Sequence, residues 1–346
     1  MASSIGIDPF APYAAAHSSP QGEGDARPTA LQIVHDNDRV GAFRGRSALV
    51  TGANGAIGFE TVRALKATGA RVFFSARDQD KVQQVLGRLE NSEGDGEVVG
   101  LTADLEDLDA VRDMAKKLLS QADSLSIFIA NAGVMASPES RTKDGFERQY
   151  SVNYLSHLLL FKLLEPALLR GNTPEFASRV VFVSSSGHMA SPVVFDNINL
   201  DGVYEPWKAY GQSKTAMIWA VNYIDRVYGS RATDAGVIHA TSLNPGGIWS
   251  NLQQYVDPAA IEGWKSDPKV PLFMKSPAQG AATTLWAAVG KVWEGRGGKY
   301  LNNCRIEQPH AEGMQVTDGH ASWAYDPASE DKLWQLGTSQ LDKWLR

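Results

Sequence analysis

Tyr210 and Lys214 stand four residues apart in the stretch AYGQSK. Side chains at positions i and i+4 of a helix share one face, so the two groups would be neighbours. A free phenol has a pKa of about 10 and accepts protons poorly at neutral pH, but a nearby ammonium favours the phenolate and lowers that pKa. The spacing therefore predicts a tyrosine that exchanges a proton with a carbonyl or an alcohol. The alternative is a tyrosine that anchors packing beside a solvated lysine.

A glycine-rich turn, ALVTGANGAIGF, includes the end of the first β-prone run of the chain. Gly52, Gly55 and Gly58 would let the chain turn tightly, approach a pyrophosphate and pack a helix on a strand. Backbone N–H groups at the start of that helix would bind the phosphates. The turn therefore predicts a dinucleotide site that includes Asn54 and Ile57, and the alternative is a tight turn without a ligand.

The end of the second β-prone run, VFFSARDQDK, bears on which dinucleotide would bind. Enzymes that use NAD usually place a carboxylate there for the ribose hydroxyls, whereas an arginine suits a 2′-phosphate. Ala76 takes the place of the acid and Arg77 follows it, so the sequence favours NADP(H) over NAD(H). Asp78 leaves open the alternative that Arg77 pairs with surface carboxylates.

These motifs resemble those of the short-chain dehydrogenase/reductase family. Thr51, Gly52 and Gly58 match its pattern Thr-Gly-x-x-x-Gly-x-Gly, but Ala56 stands at the middle glycine and Gly55 comes one position earlier. Longer stretches, such as FDNINLDGVYEPWKAYGQSK and KSPAQGAATTLWAA, are similar to the retinol-dehydrogenase-like and WW-domain-oxidoreductase-like branch. The resemblance covers about residues 44–344.

The resemblance implies reversible hydride transfer between a nicotinamide and a carbonyl carbon, with four catalytic residues. In it, Tyr210 handles the proton, Ser185 orients the substrate oxygen, Lys214 tunes the tyrosine, and Asn153 supports a water relay. A buried asparagine satisfied by backbone groups is the alternative for Asn153.

The residues around Ser185 are assigned less specifically by the resemblance. The strand end VVFVSSSGH offers Ser184 and Ser186 one place on either side of Ser185. His188 is expected to be a loop residue near the mouth of the substrate site, because a proton-transfer residue is already assigned.

The resemblance also implies cofactor contacts in three short fragments, TADLEDL, NAG and NPGGIWS. These contacts are Asp104 and Leu105 near the adenine, Asn131, Ala132 and Gly133 beneath the cofactor, and Pro245, Gly246, Ile248 and Ser250 at the nicotinamide amide. Tyr210 and Lys214 belong to the same set, since the lysine could hold the nicotinamide ribose hydroxyls.

The elements that must position these residues alternate along the chain. Short β-prone runs such as RVFFSA, LSIFIANAG and SRVVFVSSS are separated by helical stretches of about 10–20 residues. Such alternation is typical of right-handed crossovers and a parallel sheet covered on both faces. We therefore predict a single α/β domain over residues 44–346 with a Rossmann-type, doubly wound parallel sheet.

Two segments fall outside this alternation. Residues 1–43 are rich in Ala, Ser, Pro and Gly, which predicts a flexible or surface-draped extension. Residues 247–275, hereafter the lid segment, carry Trp249, Tyr255, Trp264 and Phe273, and could cover an apolar ketone or alcohol of lipid, aromatic or polyketide type. Cover for a helix layer or an oligomer interface is the alternative for the lid segment.

The overall composition narrows the class of protein. The 346 residues carry a formal net charge of −6 and one cysteine, Cys304. An acidic chain is not expected to bind nucleic acid, and one cysteine excludes an intramolecular disulfide and a cysteine-cluster zinc site. No run is long and apolar enough for a membrane span, and no secretory signal is recognisable. We expect a cytoplasmic enzyme without a metal, and family habit suggests a homodimer.

Two other functions remain open at this stage. An enzyme of the same fold could reduce a C=C bond, and a catalytically silent protein could bind the dinucleotide as a sensor or scaffold.

Overall fold

The computed structural model describes residues 8–229, 236–315 and 317–346. Its centre is one eight-stranded sheet with the strand order β3-β2-β1-β4-β5-β6-β7-β8. The strands are Ser47–Val50 (β1), Arg71–Ala76 (β2), Val98–Thr102 (β3), Ile127–Ala130 (β4), Ser178–Val183 (β5), Ile238–Asn244 (β6), Lys299–Asn302 (β7) and Arg305–Ile306 (β8). All neighbours pair in parallel except β8, which runs antiparallel to β7. The predicted fold class is confirmed.

Helices cover both faces of this sheet. They are Ala14–His17 (α1), Ala30–Asp36 (α2), Ala56–Ala67 (α3), Gln79–Leu89 (α4), Leu108–Leu119 (α5), Arg148–Tyr150 (α6), Ser156–Gly171 (α7), Pro206–Ile224 (α8), Pro258–Ser266 (α9), Val270–Phe273 (α10), Pro277–Gly280 (α11), Ala282–Val289 (α12) and Pro327–Leu345 (α13). One core lies under α5, α7, α8 and α13, and the other under α2, α3, α4 and α12. Every residue of β4, β5 and β6 is buried, as expected of strands covered on both faces.

Shorter helical turns complete the architecture. The turns Ser151–Leu155 and Asp225–Gly229 are π-helical, and Ser186–Ala190, Phe195–Asn197, Asn251–Tyr255 and Lys291–Trp293 are 3₁₀-helical. The first π turn joins α6 to α7 without a break, so residues 148–171 form one continuous helix. A π turn of this kind often marks a functional position in a helix.

The centre of the sheet determines where a ligand can bind. Strand β1 lies between β2 and β4, with Val50 beside Phe74 on one side and Ile129 on the other. The crossovers leave β1 and β4 in opposite directions, which opens a crevice beyond the carboxyl ends of these two strands.

The described part of the N-terminal segment differs from the sequence expectation. Helix α2 buries Ala30, Ile33 and Val34 completely, and Phe43 is 2% exposed. These residues belong to the core that also contains α12. The prediction of a flexible extension is therefore wrong for this stretch, because three apolar residues on one face of a two-turn helix suffice to bury it despite the surrounding Pro and Gly. Residues 1–7 lie outside the described residues.

The C-terminal helix, α13, covers the face of the sheet opposite to α2 and α12. Trp334 of α13 stacks on Tyr223 of α8, with the ring centroids 4.2 Å apart. Glu330 accepts a hydrogen bond from the Asn222 amide at 2.9 Å. Among the described helices, none has the length and apolar character needed to cross a bilayer.

Candidate active site

The residues expected to form a site meet at the carboxyl edge of the parallel sheet. The glycine turn follows β1, and Asn131–Gly133 follow β4. Ser185 follows β5, and Pro245–Ser250 follow β6. Arg77 and Asp104 come just after β2 and β3 at the same edge. The structure therefore brings together residues from six strand ends that lie far apart in sequence.

Two glycines of the turn after β1 are in contacts too close for a side chain. Gly52 has φ +71°, and a Cβ there would lie 2.8 Å from the Cα of Ala132. A Cβ on Gly58 would lie 2.3 Å from the carbonyl oxygen of Gly52. Both positions therefore need glycine, whereas Asn54 and Gly55 are exposed at the rim of the turn. Helix α3 begins at Ala56, so its free N–H groups face the turn.

The position of Ile57 connects this turn to the loop after β6. A Cβ added to Gly280 of α11 would lie 2.7 Å from the side chain of Ile248 and 3.4 Å from that of Ile57. Both isoleucines therefore lie close to Gly280. The glycine turn and the loop after β6, which are the two predicted ends of the cofactor site, are thus adjacent in the structure.

A buried hydrogen-bond chain fixes the floor of the site. The hydroxyl of Thr51 accepts the N–H groups of Asn131 and Ala132, both at 3.0 Å. Its own proton then goes to Nε2 of His157 at 2.9 Å, and Nδ1–H of His157 donates to the carbonyl oxygen of Asn153 at 2.8 Å. Burial lowers the pKa of His157 to about 4, so the ring is neutral and held in one tautomer.

Sequence reasoning missed His157. The spacing of Asn153 and His157, four residues apart on a helix, was the available signal. The role of His157 follows only from its hydrogen bond with Thr51, which is 106 positions away along the chain.

Tyr210 and Lys214 lie on the same face of α8, as their spacing predicts. The ammonium nitrogen of Lys214 lies 5.6 Å from the centroid of the Tyr210 ring. That nitrogen donates to the carbonyl oxygen of Val183, the last residue of β5, at 2.9 Å. A Cβ on Gly133 would lie 3.5 Å from the same nitrogen, so the lysine also faces the loop after β4.

The pKa of Tyr210 moves opposite to the expected direction. Burial raises it to about 12, although a hydrogen bond with Ser185 acts to lower it. Burial also lowers the pKa of Lys214 to about 7, which weakens the positive charge that was expected to act on the phenol. The expectation that the lysine makes Tyr210 more acidic is therefore wrong for the chain by itself, because burial is the largest cause of the shift of each pKa and favours the uncharged form of both groups.

The serines after β5 have different partners. Ser184 is buried, and its hydroxyl donates to the carbonyl oxygen of Lys214 at 2.9 Å. Ser185 is only partly buried, and its oxygen accepts the N–H of Gly187 at 3.0 Å. A Cβ on Gly187 would lie 2.6 Å from the ring of Tyr210 and 3.3 Å from Oγ of Ser185, so tyrosine and serine face each other across this glycine. Of these two serines, Ser185 is the one directed at Tyr210.

Asn153 lies in the first π turn and is fully buried. Its Oδ1 accepts the N–H of Val134 at 2.8 Å, and its Nδ2 donates to the carbonyl oxygen of Val134 and to the hydroxyl of Ser213. The asparagine thus holds the loop after β4 against α8. Its part in a water relay stays a prediction.

His188 does not lie at the mouth of the site, contrary to expectation. The side chain is buried, with Nδ1–H donating to the carbonyl oxygen of Ser185 at 2.7 Å and Nε2 accepting the N–H of Ala321 at 3.0 Å. Burial lowers its pKa to about 4. The 3₁₀ turn after Ser185 directs this ring inward, where it ties the serine to the C-terminal part of the chain.

At the end of β2, Arg77 and Asp78 have separate environments. Asp78 is the N-cap of α4: its carboxylate accepts the N–H of Lys81 at 2.9 Å and also contacts the ammonium group of Lys81. Arg77 is 57% exposed, and its closest acidic partner is Asp104 at 3.8 Å. The guanidinium therefore lies at the rim of the crevice, in loose contact with a carboxylate. Leu105 is part of the core under α5, and its contact with an adenine stays a prediction.

The loop after β6 is supported by a buried cation that sequence reasoning missed. Lys275 donates to the carbonyl oxygen of Pro245 at 3.2 Å and to the side chain of Asn303 at 2.8 Å. Gly246 has φ +94°, a backbone conformation that favours glycine, and a Cβ there would also lie 2.9 Å from the lysine nitrogen. The hydroxyl of Ser250 caps the 3₁₀ turn that begins at Asn251.

An apolar cover lies over Tyr210. The ring packs with Met135 and Ala136 from the loop after β4, and with Val256 from the lid segment. Ala260 and Ile261 of α9 pack against the same cluster. Tyr210 is consequently only 3% exposed.

Comparison with known proteins identifies the family of this site. Residues 46–260 match the family model for short chain dehydrogenases. The chain belongs to the short-chain dehydrogenase/reductase family. Members of this family bind a nicotinamide cofactor and act as oxidoreductases on small molecules, so this chain is an oxidoreductase in class.

Individual relatives agree with this family assignment. The short-chain dehydrogenase/reductase prx1 of Penicillium roqueforti is 49% identical over 330 residues, which cover 95% of each chain. Retinol dehydrogenase 11 of Mus musculus is 33% identical over 280 residues, covering 81% of this chain and 84% of the relative. This similarity supports the predicted retinol-dehydrogenase-like branch.

A solved structure supports the same assignment. The RhlG/NADP active-site complex of Pseudomonas aeruginosa superimposes with a TM-score of 0.59 and 26% identity, over 75% of this chain and 94% of that one.

The described residues contain no group of three or more His, Cys, Asp or Glu side chains that could hold a metal ion. The side chains that meet in this short-chain dehydrogenase/reductase site offer hydroxyl, phenol, ammonium and amide groups.

Proposed function

We propose that this chain is an NADP(H)-dependent oxidoreductase that interconverts a ketone or aldehyde and an alcohol on an apolar substrate. The observation that carries the proposal is the convergence of Tyr210, Ser185 and Lys214 beneath the apolar cover, next to the glycine turn.

The site has features that fit a dinucleotide. Gly52 and Gly58 allow the turn after β1 to pack closely on Ala132 and on its own backbone, and the N-terminus of α3 points its N–H groups into this turn. Lys214 has three donors: one meets the carbonyl oxygen of Val183 at 2.9 Å, and another lies 3.5 Å from the Sδ of Met217, which is only a weak acceptor. We assign the third donor, and the one that Met217 holds weakly, to the nicotinamide ribose hydroxyls. When bound, the nicotinamide supplies or accepts the hydride.

Tyr210 and Ser185 then act on the substrate oxygen. With a pKa of about 12, Tyr210 holds its proton at neutral pH, which suits donation to a carbonyl oxygen as that oxygen gains negative charge. Ser185 orients and stabilises the same oxygen. Asn153 supports the relay that returns a proton to the tyrosine.

Three observations support the preference for NADP(H). Arg77 is exposed at the rim, and the carboxylate of Asp78 is engaged in capping α4, so it is poorly placed to accept ribose hydroxyls. The related RhlG structure was solved with NADP. An arginine at this place can bind a 2′-phosphate with two parallel hydrogen bonds.

The substrate class follows from the cover over Tyr210. Met135, Ala136 and Val256 offer apolar contacts and no charge. The name of the related retinol dehydrogenase 11 also indicates an apolar alcohol as the substrate of that protein. The homodimer and the cytoplasmic location stay predictions from the sequence.

The catalytic role of Tyr210 is tested by replacing its hydroxyl. We expect Tyr210→Phe to lower kcat for carbonyl reduction by at least about 100-fold, since the proton donor is lost, while NADPH still binds. NADPH oxidation is followed across a panel of ketones and aldehydes, and cofactor binding by fluorescence. Tyr223→Phe, on the same helix but stacked on Trp334, is the matched control and should retain activity.

The outcomes separate the competing functions. Turnover by Tyr210→Phe at the wild-type rate would contradict the proposed chemistry. Tight NADPH binding by the wild type without turnover on any compound would favour a sensor, and a product reduced at C=C would favour the double-bond reductase.

The role of Arg77 in cofactor choice is a separate prediction. We expect Arg77→Ala to reduce the NADPH-over-NADH preference by at least about tenfold, because hydrogen bonds to the charged 2′-phosphate are lost. The preference is measured as the ratio of the two dissociation constants. Arg112→Ala, which removes an arginine paired with Asp109 on α5, is the charge-matched control. An unchanged ratio in Arg77→Ala would remove the main support for NADP(H).

A further inference from the structure

The N-terminal stretch Gln21–Arg27, hereafter the clasp, contacts the far end of the lid segment. It lies outside residues 46–260, which match the family model. The N–H of Gly22 donates to the carbonyl oxygen of Leu272 at 3.0 Å. Gly22 has φ +100°, and a Cβ there would lie 3.2 Å from the carbonyl oxygen of Pro271. The clasp therefore runs directly along the backbone of α10.

Arg27 is the centre of this contact. Its side chain is 3% exposed, and its Nε donates to Asp25 at 2.8 Å. The two other guanidinium nitrogens donate to the carbonyl oxygens of Phe273 at 2.9 Å and Met274 at 2.7 Å, and also to that of Gly22. A planar guanidinium can serve several acceptors at once in this way, whereas an ammonium cannot match its fork geometry. The two lid carbonyls come just at and after the end of α10, where helix carbonyls lack partners within the helix.

Gln279 of α11 holds the clasp from the other side. Its Oε1 accepts the N–H of Gly24 at 3.0 Å, and its Nε2 donates to the carbonyl oxygens of Asp25 and Arg27, both at 3.1 Å. The glutamine is 2% exposed. Clasp, α11 and the end of the lid segment thus share one buried polar network, in which loss of one member leaves the others unpaired.

The lid segment itself has little other support. Helices α9 and α10, all of whose residues are described, contain none that is buried. At its first half, Val256 is buried against Tyr210, and the Tyr255 hydroxyl accepts a hydrogen bond from Arg148 at 3.0 Å. At its second half, Met274 and Lys275 connect to the loop after β6, where Lys275 N–H donates to Gly247 at 2.8 Å. The position of α9 and α10 therefore depends on the packing of Ala260 and Ile261 and on the anchors at the two ends of the segment.

We infer that Arg27 is a positioning residue that fixes the C-terminal end of the lid segment and thereby the apolar cover that selects the substrate above Tyr210. The inference rests on the proposed function, since the selected compound is the carbonyl or alcohol substrate. On this inference, the N-terminal clasp contributes to substrate specificity.

The anchoring is tested without any substrate by limited proteolysis. Lys265 and Lys269 lie in the lid segment and are exposed, so trypsin reports on local opening there. We expect Arg27→Met to raise the rate of cleavage after these lysines by at least about tenfold, and Arg27→Lys to raise it less, because the ammonium reaches fewer carbonyls. Arg44→Met, which removes an exposed arginine paired with Asp95, should leave the rate unchanged.

The contribution of Arg27 to substrate specificity is tested with an apolar ketone that the carbonyl panel has identified as a substrate. We expect Arg27→Met to raise KM for an apolar ketone by about tenfold while kcat and the NADPH dissociation constant change less than about twofold, since the reacting groups stay in place. Arg27→Lys should restore part of the KM.

Each outcome decides the inference. Cleavage at the wild-type rate in a folded Arg27→Met or Arg27→Lys protein would overturn it, and so would equal acceleration in Arg44→Met, which would indicate general loosening. If Arg27→Met does not fold, Arg27→Lys provides the same two readouts. Faster cleavage in a protein that reduces no carbonyl would reject the proposed function and retain the anchoring role of Arg27.

Discussion

At the scale of single residues, burial acts on the two functional groups that share one face of α8. It raises the pKa of Tyr210 to about 12 and lowers that of Lys214 to about 7. Both shifts favour the uncharged form, as expected where water is excluded. The chain alone therefore holds a proton on the phenol, ready for donation, and carries a lysine whose charge changes near neutral pH.

The sequence could predict the shared face of this pair but not the sign of the tyrosine shift. The i and i+4 spacing fixes which side chains are neighbours on a helix. Desolvation depends on Met135, Ala136 and Val256, which cover Tyr210 from two other segments. Such cover is a property of the tertiary structure, so the local stretch AYGQSK contains no sign of it.

His157 should make the protein less stable in acid. Its pKa is lowered from 6.5 to about 4 by burial, so between these values the unfolded chain binds a proton that the folded chain does not. The free energy of unfolding should thus fall by about 3 kcal/mol as the pH drops from about 6.5 to about 4 through this one group. Above about 6.5 its contribution should be constant.

Urea unfolding at several pH values tests this prediction. His157→Gln should show a smaller loss of unfolding free energy over the same pH range than the wild type. His35→Gln, at an exposed histidine paired with Glu93, is the control and should follow the wild type. Parallel curves for His157→Gln and the wild type would contradict the prediction.

At the scale of elements, the glycine turn and the helix that follows it act as one unit. Gly58 is the last residue of the motif and lies in the first turn of α3, so its close contact with the carbonyl oxygen of Gly52 fixes the helix against the strand. Ala56, which replaces the middle glycine of the family pattern, is the first residue of α3. A methyl group is compatible with that position because helix start residues need no positive φ.

Replacement of Gly58 should therefore impair cofactor binding. We expect Gly58→Ala to weaken NADPH binding by at least about tenfold, because a Cβ at 2.3 Å from a backbone oxygen forces the turn to shift. Binding is measured by fluorescence titration at a temperature where the variant is folded.

Gly87 of α4 is the matched control, since a Cβ there would meet nothing within 4 Å. Gly87→Ala should bind NADPH normally and gain about 0.5–1 kcal/mol of stability, as alanine does over glycine inside a helix. Equal affinity of Gly58→Ala and the wild type would show that the turn tolerates the methyl group.

At the scale of the whole molecule, the pattern of strands and helices could be predicted well. Seven β-prone runs correspond to β1–β7, and the signal is clearest where a strand is buried on both faces, as in β4 and β5, because such strands need apolar residues that a sequence displays directly. The two-residue strand β8 and the helices of the lid segment escaped prediction. Their apolar residues are few, and their positions depend on contacts with remote parts of the chain.

The N-terminal segment shows most clearly that contacts with remote parts of the chain cannot be predicted from a local stretch of sequence. Its composition is that of a linker, yet Arg39 donates to the carbonyl oxygen of Val289 at 3.0 Å and α2 packs against α12. No local pattern in the N-terminal sequence indicates contacts with residues so far along the chain. The clasp could be found only from coordinates.

The contacts of Arg27 also bear on the order in which the chain can mature. Phe273 and Met274 follow it by 246 and 247 positions. During synthesis, the guanidinium can bind only its local partners Asp25 and Gly22 until Phe273 and Met274, in the last quarter of the 346-residue chain, have emerged from the ribosome. Closure of this end of the lid segment therefore needs both the beginning of the chain and the residues at the end of α10, and a nascent chain that stops before Phe273 cannot yet hold the cover through Arg27.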